Sequence, residues 1–176
     1  SRVSRGLGDV YKRQIIMSMV EIHNSVAKVY EENKETLEIF ECLDEFSDTQ
    51  NFCDHYGFDI EDSCNAILIK AKKPEEFYAM FCVLGANRLD VNHKAKEAMG
   101  AKRVSFASRE EAEAVTGQIY GGISPLGLPE NIKVYMDKNV TDREKLFIGA
   151  GNRVSKFFLS PETLIQLSSA TVLDLT

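Results

Sequence analysis

The segment from Gly117 to Pro129 has the composition of a loop that binds a ligand through its backbone. It holds four glycines and two prolines in thirteen residues, which excludes a regular helix or a central strand. Glycine permits positive φ and lets a ligand approach the main chain closely, and successive N–H groups can form a nest for an anion or a carbonyl oxygen. Ser124 can add a hydroxyl donor. A wide structural turn has the same composition, and the spacing matches neither GxGxxG nor a P-loop, so nucleotide binding is not supported.

A second glycine element, Gly149-Ala150-Gly151, separates two apolar runs. Taken alone, this spacing favours a tight hairpin turn. The functional alternative is that the two glycine-rich turns form walls of one cleft.

Other polar candidates give weaker signals. His93 can act as an acid or a base, but it lies on a predicted surface helix beside lysines, which favours a solvated side chain. Asp137 ends a predicted strand and fits either a polar cleft group or a cap of the next turn. A basic cluster offers a place where a polyanion can touch the chain; its members are Arg88, Lys94, Lys96, Lys102 and Arg103.

The cysteines indicate a compartment rather than a site. Cys42, Cys53, Cys64 and Cys82 form no CxxC pair, so the sequence does not favour a zinc site. We expect four buried, reduced thiols in a cytoplasmic protein, with no metal and no cofactor. No GxSxG nucleophile elbow occurs either.

Composition and charge limit the class of protein. The 176 residues are 44% hydrophobic and 27% charged, as in ordinary globular domains. A net charge of −6 argues against a surface that grips nucleic acid throughout, although a local basic mouth stays open. No apolar run approaches the roughly 20 residues that span a bilayer, so no membrane partner is expected.

Hydrophobic periodicity predicts interleaved strands and helices. Ser47 and Ser108 each open a capping box, with Gln50 and Glu111 three residues later. The predicted helices are 20–30, 47–57, 90–98, 108–116 and one that begins at 160–161; the predicted strands are 37–42, 66–69, 77–84, 104–107, 132–136, 146–148, 154–159 and 172–173. This irregular order predicts a single α+β domain with a curved mixed sheet and flanking helices.

The amino-terminal residues differ in composition from the rest of the chain. Residues 1–14 lack hydrophobic periodicity, carry four basic residues against one acid, and resemble a translated sequencing-library adapter. A targeting peptide is the alternative, but no apolar stretch precedes a small-residue cleavage site. We expect a non-native or disordered leader at 1–14, an N-terminal helix within 15–34 and the main domain over 35–176, with the natural start at Met17 or Met19.

The glycine loops and their surroundings resemble the YbaK-type family of aminoacyl-tRNA deacylases, which is related to the editing domain inserted in bacterial prolyl-tRNA synthetases. The similarity extends over about residues 37–175. It is carried by Gly117-x3-Gly121-Gly122-Ile123-Ser124-Pro125-Leu126-Gly127-Leu128, by Val134-x2-Asp137, by Gly149-Ala150-Gly151, by Leu159-Ser160-Pro161-x2-Leu164 and by the stretch 90–107.

The resemblance implies a compact, partly barrel-like mixed sheet and hydrolysis of the ester that joins an amino acid to the 3′ end of a mischarged tRNA. The expected partners are therefore the aminoacyl end of tRNA and, as a further candidate, an aminoacyl-tRNA synthetase. The resemblance assigns catalysis to the Gly121-Gly122 turn. It assigns substrate binding to Ser124, Pro125, Gly127, Asp137, Gly149 and Gly151.

One position departs from the family. Active members have a lysine just before the first buried strand, and in the matching register this sequence has Asn65. Asparagine can hydrogen-bond but has no ammonium charge to bind phosphate or stabilise an oxyanion. Lys70 lies five residues later, and because successive strand residues point to opposite faces, we expect it not to reach the position of residue 65.

Two functions follow from these observations. The first is a free-standing aminoacyl-tRNA deacylase that acts in trans and protects translation fidelity, with Asn65 at the position of the family lysine. The second is a non-catalytic module that binds an aminoacyl-adenosine-like ligand or a protein partner, which the Asn65 replacement favours. The glycine loops retain the family pattern, so we favour the first.

Overall fold

The computed structural model describes residues 20–176. Its framework is two β-sheets that together contain eight strands. The predicted leader at 1–14 lies outside the described residues, as do residues 15–19 of the predicted N-terminal helix. The strands are β1 (Glu38–Glu41), β2 (Cys64–Lys73), β3 (Phe77–Leu84), β4 (Arg103–Phe106), β5 (Lys133–Asp137), β6 (Leu146–Gly149), β7 (Ser155–Leu159) and β8 (Thr171–Leu173).

The helices flank these sheets, as the α+β prediction requires. They are α1 (Asn24–Glu32), α2 (Thr49–Tyr56), α3 (Lys96–Met99), α4 (Arg109–Thr116) and α5 (Pro161–Ser168). A π-helical turn at Val91–Ala95 leads into α3, and short 3₁₀ turns lie at Asp44–Phe46, Ile60–Asp62 and Lys138–Asp142.

The larger sheet is mixed, with strand order β4-β2-β3-β5-β8. The long hairpin β2–β3 is antiparallel and pairs Cys64 with Leu84 at one end and Ala71 with Phe77 at the other. Strands β5 and β8 then add in parallel to β3 and to each other. The mixed sheet predicted from the sequence is thus present, and the predicted closing edge strand near residue 172 is β8.

The smaller sheet is antiparallel, in the order β1-β7-β6, and its central strand decides where the site lies. All five residues of β7 are buried, so both of its faces are covered. Phe157 faces the main apolar core together with Leu159. Phe158 packs on the opposite side in a group that we call the aromatic cluster, made of Phe40, Cys42, Phe52, Cys53, Tyr56, Phe58, Ile60, Phe147 and Phe158.

The two sheets meet where Ser63, just before β2, forms an isolated bridge with Phe147 of β6. This contact brings the start of β2 beside the end of β6. Asn65 lies two residues after Ser63, and Gly149 ends β6, so residues far apart in sequence lie at one junction.

Helix caps follow the sequence signals, with two corrections. The box at Ser108 and Glu111 forms in full, and Asp90 caps the turn before α3. The cap predicted at Ser47 is wrong by one residue: Asp48 accepts the N–H of Asn51 and is the N-cap of α2. Both residue types cap well, and Ser47 is buried instead.

The first helix also begins later than predicted. Periodicity places its start at Val20, but the chain is non-helical through His23, which is the N-cap of α1. A tertiary contact explains the difference: the carbonyl of Glu21 accepts a hydrogen bond from the side-chain amide of Asn152. If the helix began at Val20, this carbonyl would bond within the helix and the contact with Asn152 would be lost. In the described part of the chain, no helix has both the length and the apolarity to cross a bilayer.

Candidate functional site

The two glycine-rich turns are joined by hydrogen bonds. Gly151 donates its N–H to the carbonyl of Gly122 at 2.7 Å, and Ile119 donates to the carbonyl of Gly151 at 2.9 Å. Gly121 and Gly151 have φ values of +90° and +93°, in the region that glycine adopts without strain. The segments therefore form one continuous wall, as the cleft interpretation of their sequences requires.

Close backbone approach explains why glycine occupies two further positions. A Cβ on Gly122 would overlap the carbonyl oxygen of Asn152, and one on Gly149 would overlap the carbonyls of Gly122 and Ile123. Any side chain at either position would separate the two turns.

A buried amide holds the first turn in shape. Gln118 donates its side-chain N–H to the carbonyl of Leu126 at 2.9 Å and accepts the N–H of Ser124 at 2.5 Å. Ser124 is itself fully buried, and its hydroxyl oxygen accepts the N–H of Leu126 at 3.1 Å. The hydroxyl predicted to donate to a ligand is therefore buried within the loop and acts there as an acceptor.

A cavity of about 360 Å³ opens between the turns and the junction of the two sheets. We call it the glycine cavity. Its lining residues are Thr49, Ser63, Cys64, Asn65, Ala66, Ile67, Tyr120, Gly121, Gly122, Ile123, Phe147, Ile148, Gly149 and Lys156.

The structure divides the predicted site residues between this cavity and other places. Asn65, Gly121, Gly122 and Gly149 line the glycine cavity, and Gly151 lies directly behind Gly122. The remaining four do not line it. Pro125 and Gly127 border a separate cleft beside β5, and Asp137 and Ser124 are fully buried.

Asp137 has a structural position at the end of β5. One carboxylate oxygen accepts the N–H of Leu175 at 2.9 Å, which fixes the chain after β8. Its other oxygen is buried and has no hydrogen-bond partner among residues 20–176. The side chain of Asp137 thus fills neither of the two roles left open by the sequence, a cleft group or a turn cap. It holds the C-terminal segment in place instead.

The family model described as "Aminoacyl-tRNA editing domain" matches residues 44–167, which include every element that lines the glycine cavity. The chain belongs to the aminoacyl-tRNA editing domain family. The resemblance found in the glycine motifs is confirmed.

Individual relatives agree with this assignment. A protein of Enterococcus faecalis named "Putative Cys-tRNA(Pro)/Cys-tRNA(Cys) deacylase EbsC" is 30% identical over 92 residues, which are 52% of this chain and 56% of that protein. A proline–tRNA ligase of Nautilia profundicola is 33% identical over 106 residues, which are 59% of this chain and 18% of the ligase. The chain thus spans about half the length of the first relative and a small part of the second.

A solved structure shows the same fold. "Crystal structure of a putative trans-editing enzyme for prolyl tRNA synthetase" superposes with a TM-score of 0.75 at 23% identity, and the match covers 89% of this chain and 99% of that one.

In this editing domain, Lys70 lies where strand geometry predicts. Its ammonium pairs with Glu111 at 2.9 Å and lies 3.7 Å from Glu76. It is not among the residues that line the glycine cavity. Asn65, at the other end of the strand, accepts the hydroxyl of Ser63 at 3.3 Å.

The editing domain places a different lysine in the cavity, which the sequence analysis missed. Lys156 is the second residue of β7, is only 6% exposed and lines the glycine cavity. Its Nζ donates to the carbonyl of Ser47 at 3.0 Å and lies 5.0 Å from the centroid of the Phe52 ring. Burial lowers the pKa of Lys156 below its ordinary value of 10.5.

Two other regions are less suited to hold an anionic ligand. A larger cleft of about 820 Å³ is bordered by four exposed carboxylates, those of Glu35, Glu38, Asp142 and Glu144. His93 is exposed and pairs with Asp90 at 3.1 Å, which confirms that it is solvated.

Within residues 20–176 no group of three or more His, Cys, Asp or Glu side chains is placed to hold a metal.

Proposed function

We propose that this editing domain acts in trans as an aminoacyl-tRNA deacylase and hydrolyses the ester that joins an amino acid to the 3′ end of a tRNA. The observation that carries the proposal is the glycine cavity itself. The joined turns supply a wall with no side chains at Gly121, Gly122 and Gly149. Such a wall lets the terminal nucleoside lie against the main chain, so the bound ester is positioned by backbone contacts.

The rim of the glycine cavity suits an unpaired base. Tyr120 lines the cavity and is 49% exposed, and the guanidinium of Arg109 lies 5.6 Å from the centroid of its ring. An exposed aromatic ring is a platform on which the terminal base can stack, at a gain of about 1–3 kcal/mol per base. The ester then extends inward from the rim toward Asn65 and Lys156.

The volume of the cavity indicates a small aminoacyl group. A space of about 360 Å³ is near the lower end of the ~300–1,000 Å³ range of ligand sites. It must also admit part of the terminal ribose. We therefore propose small amino acids as substrates, in agreement with the cysteinyl-tRNA named for the Enterococcus faecalis relative.

The deciding experiment measures amino acid release from a panel of tRNAs charged with small and large amino acids. The panel includes cysteine and alanine on tRNA(Pro). We expect release above the spontaneous rate for small aminoacyl groups and little for large ones, because the cavity excludes them. A non-cleavable aminoacyl-adenosine is tested in parallel; binding of this analogue with no turnover on any charged tRNA would establish the binding-module alternative instead.

The proposed activity also carries partner and compartment expectations. A trans-acting editing enzyme meets its substrate where tRNA is charged, so we propose a cytoplasmic location. The family relationship to prolyl-tRNA synthetases makes such a synthetase the partner to test first.

A further inference from the structure

Lys156 reaches the glycine cavity because of its register in the smaller sheet. It pairs with Gly149 on β6 and with Phe40 on β1. Directly paired residues share a face of the sheet. The neighbouring position on β6 therefore carries no side chain, and the lysine has open space beside it where the two glycine turns meet.

The ammonium group is buried without an opposite charge. In the described part of the chain, no carboxylate lies within 4 Å of its Nζ, whereas Lys70, Lys94 and Lys145 each pair with at least one. The carbonyl of Ser47 accepts one of its three N–H donors. An unpaired cation in a dry site costs several kcal/mol, so a purely structural role is a poor explanation for it.

A buried cation that faces a ligand cavity stabilises negative charge on the ligand. We infer that Lys156 binds the oxyanion that forms at the scissile carbonyl during deacylation, an inference that rests on the proposed function. The phosphodiester of the terminal nucleotide is the other anionic group of the substrate. It is strongly hydrated and suits the exposed rim around Tyr120 better than the buried position of Lys156.

The chemistry requires no further reagent. A water molecule adds to the ester carbonyl carbon, and the carbonyl π electrons move to the oxygen, which becomes the oxyanion beside the ammonium. When the intermediate collapses, the carbon–oxygen bond to the ribose breaks and the proton from the water ends on the ribose oxygen. The products are the free amino acid and a tRNA with a restored hydroxyl group. A preorganised donor in a water-poor site favours the charged intermediate over the neutral ester.

The surroundings of Lys156 determine its pH behaviour. Cys42, Cys53 and Asp48 favour its charged form and Arg153 disfavours it, while desolvation is the largest influence and lowers its pKa. The lysine must be protonated to act. Turnover, corrected for spontaneous hydrolysis, therefore falls as pH rises through that lowered pKa.

The test compares Lys156→Met, Lys156→Arg and the control Lys70→Met on the best substrate of the tRNA panel. Methionine has a similar length and no charge, so Lys156→Met should keep or raise the melting temperature. We expect its kcat to fall by about 10²–10³-fold with little change in KM, as for the loss of one oxyanion donor. Lys156→Arg should recover part of the loss and move the alkaline decline to higher pH, and Lys70→Met should retain full kcat.

Each result has a defined meaning. Wild-type kcat in a folded Lys156→Met variant would overturn the inference, and so would a rise in KM alone, which would assign the lysine to the phosphodiester. If Lys156→Met does not fold, the wild-type pH profile decides, and a kcat that shows no alkaline decline overturns the inference. Absence of turnover by the wild-type protein on every charged tRNA overturns the proposed function as well, so the two failures are distinguishable.

Discussion

The site depends on Gly122 having no Cβ atom. Its φ lies outside the left-handed region, so its need for glycine is purely steric: a Cβ would overlap the carbonyl oxygen of Asn152. Gly122→Ala must therefore push the two turns apart. We expect a loss of about 3 kcal/mol in the free energy of unfolding and a fall in kcat/KM of about 10²-fold, because the wall of the glycine cavity moves by ångströms.

Gly100→Ala is the matched control for this substitution. Gly100 ends α3 with a φ of +63° and has open space around the position of a Cβ. Alanine there should cost about 1–2 kcal/mol from the left-handed backbone alone and leave kcat/KM unchanged. Urea unfolding and initial rates separate the two effects, and a folded Gly122→Ala variant that keeps wild-type kcat/KM would show that the turns do not need to be in contact.

Of the two lysines Lys70 and Lys156, the position of the first could be predicted from the sequence and that of the second could not. The period of two in a strand correctly removed Lys70 from consideration, because that argument needs only one strand. Lys156 gave no comparable signal. A lysine in the run Ser155–Leu159 fits a solvated face equally well, and only the pairing of β7 with neighbours on both sides shows that this face is covered.

Glu111, in the first turn of α4, contacts several polar groups at once. Glu111 closes the capping box, accepts the hydroxyl of Tyr78 at 2.6 Å and pairs with Lys70 at 2.9 Å. The hydrogen bond from Tyr78, followed by that from Lys70, lowers the pKa of Glu111 from 4.5 to about 2. A carboxylate with a lowered pKa stabilises the fold above its unfolded pKa, and this stabilisation is lost as pH falls toward the folded value.

We therefore expect Glu111→Gln to be less stable than wild type at neutral pH. The difference should shrink between about pH 4.5 and pH 2, as the wild-type carboxylate becomes protonated. Urea midpoints measured across this range test the expectation, with Glu110→Gln on the same exposed turn as the control. A stability difference that stays constant down to pH 2 would show that the charge of Glu111 does not contribute.

Elements were predictable where a local signal agrees with the tertiary structure. The apolar run 77–84 is β3 residue for residue, since a strand whose last six residues are all buried needs no polar alternation. β2 extends beyond the predicted 66–69 to Cys64–Lys73. Its polar ends become strand through pairing with β3 and β4, which hydropathy along one chain does not reveal.

At the scale of the whole molecule, the site depends on how the sheets meet. The sequence predicted the α+β class and the strands, but not their division into sheets of three and five. That division brings Ser63 to Phe147 and so places Asn65 beside the glycine turns. Contacts of this kind join residues more than eighty positions apart, and no local pattern encodes them.

The overall charge of the molecule limits how much of the proposed tRNA substrate it can hold. The net charge is −6, and Lys94 of the predicted basic cluster is paired with Asp174 at 2.9 Å. Arg88, another member of the cluster, borders a different cleft from the glycine cavity. We therefore expect the proposed deacylase to contact the aminoacyl end of its tRNA substrate and few backbone phosphates.

This charge distribution predicts that a short aminoacylated RNA hairpin is hydrolysed nearly as well as full-length tRNA. With one or two phosphate contacts, kcat/KM on either substrate should fall less than about tenfold between 50 and 200 mM salt, whereas six to ten contacts would cost about 10³–10⁵-fold. Initial rates on both substrates across that salt range check the expectation. A steep salt dependence that appears with the full tRNA and is absent with the hairpin would contradict it, because the body of the tRNA would then contact the protein. Neutralising the basic cluster, for example with Arg88→Gln and Lys96→Gln, would show whether that face is the one in contact.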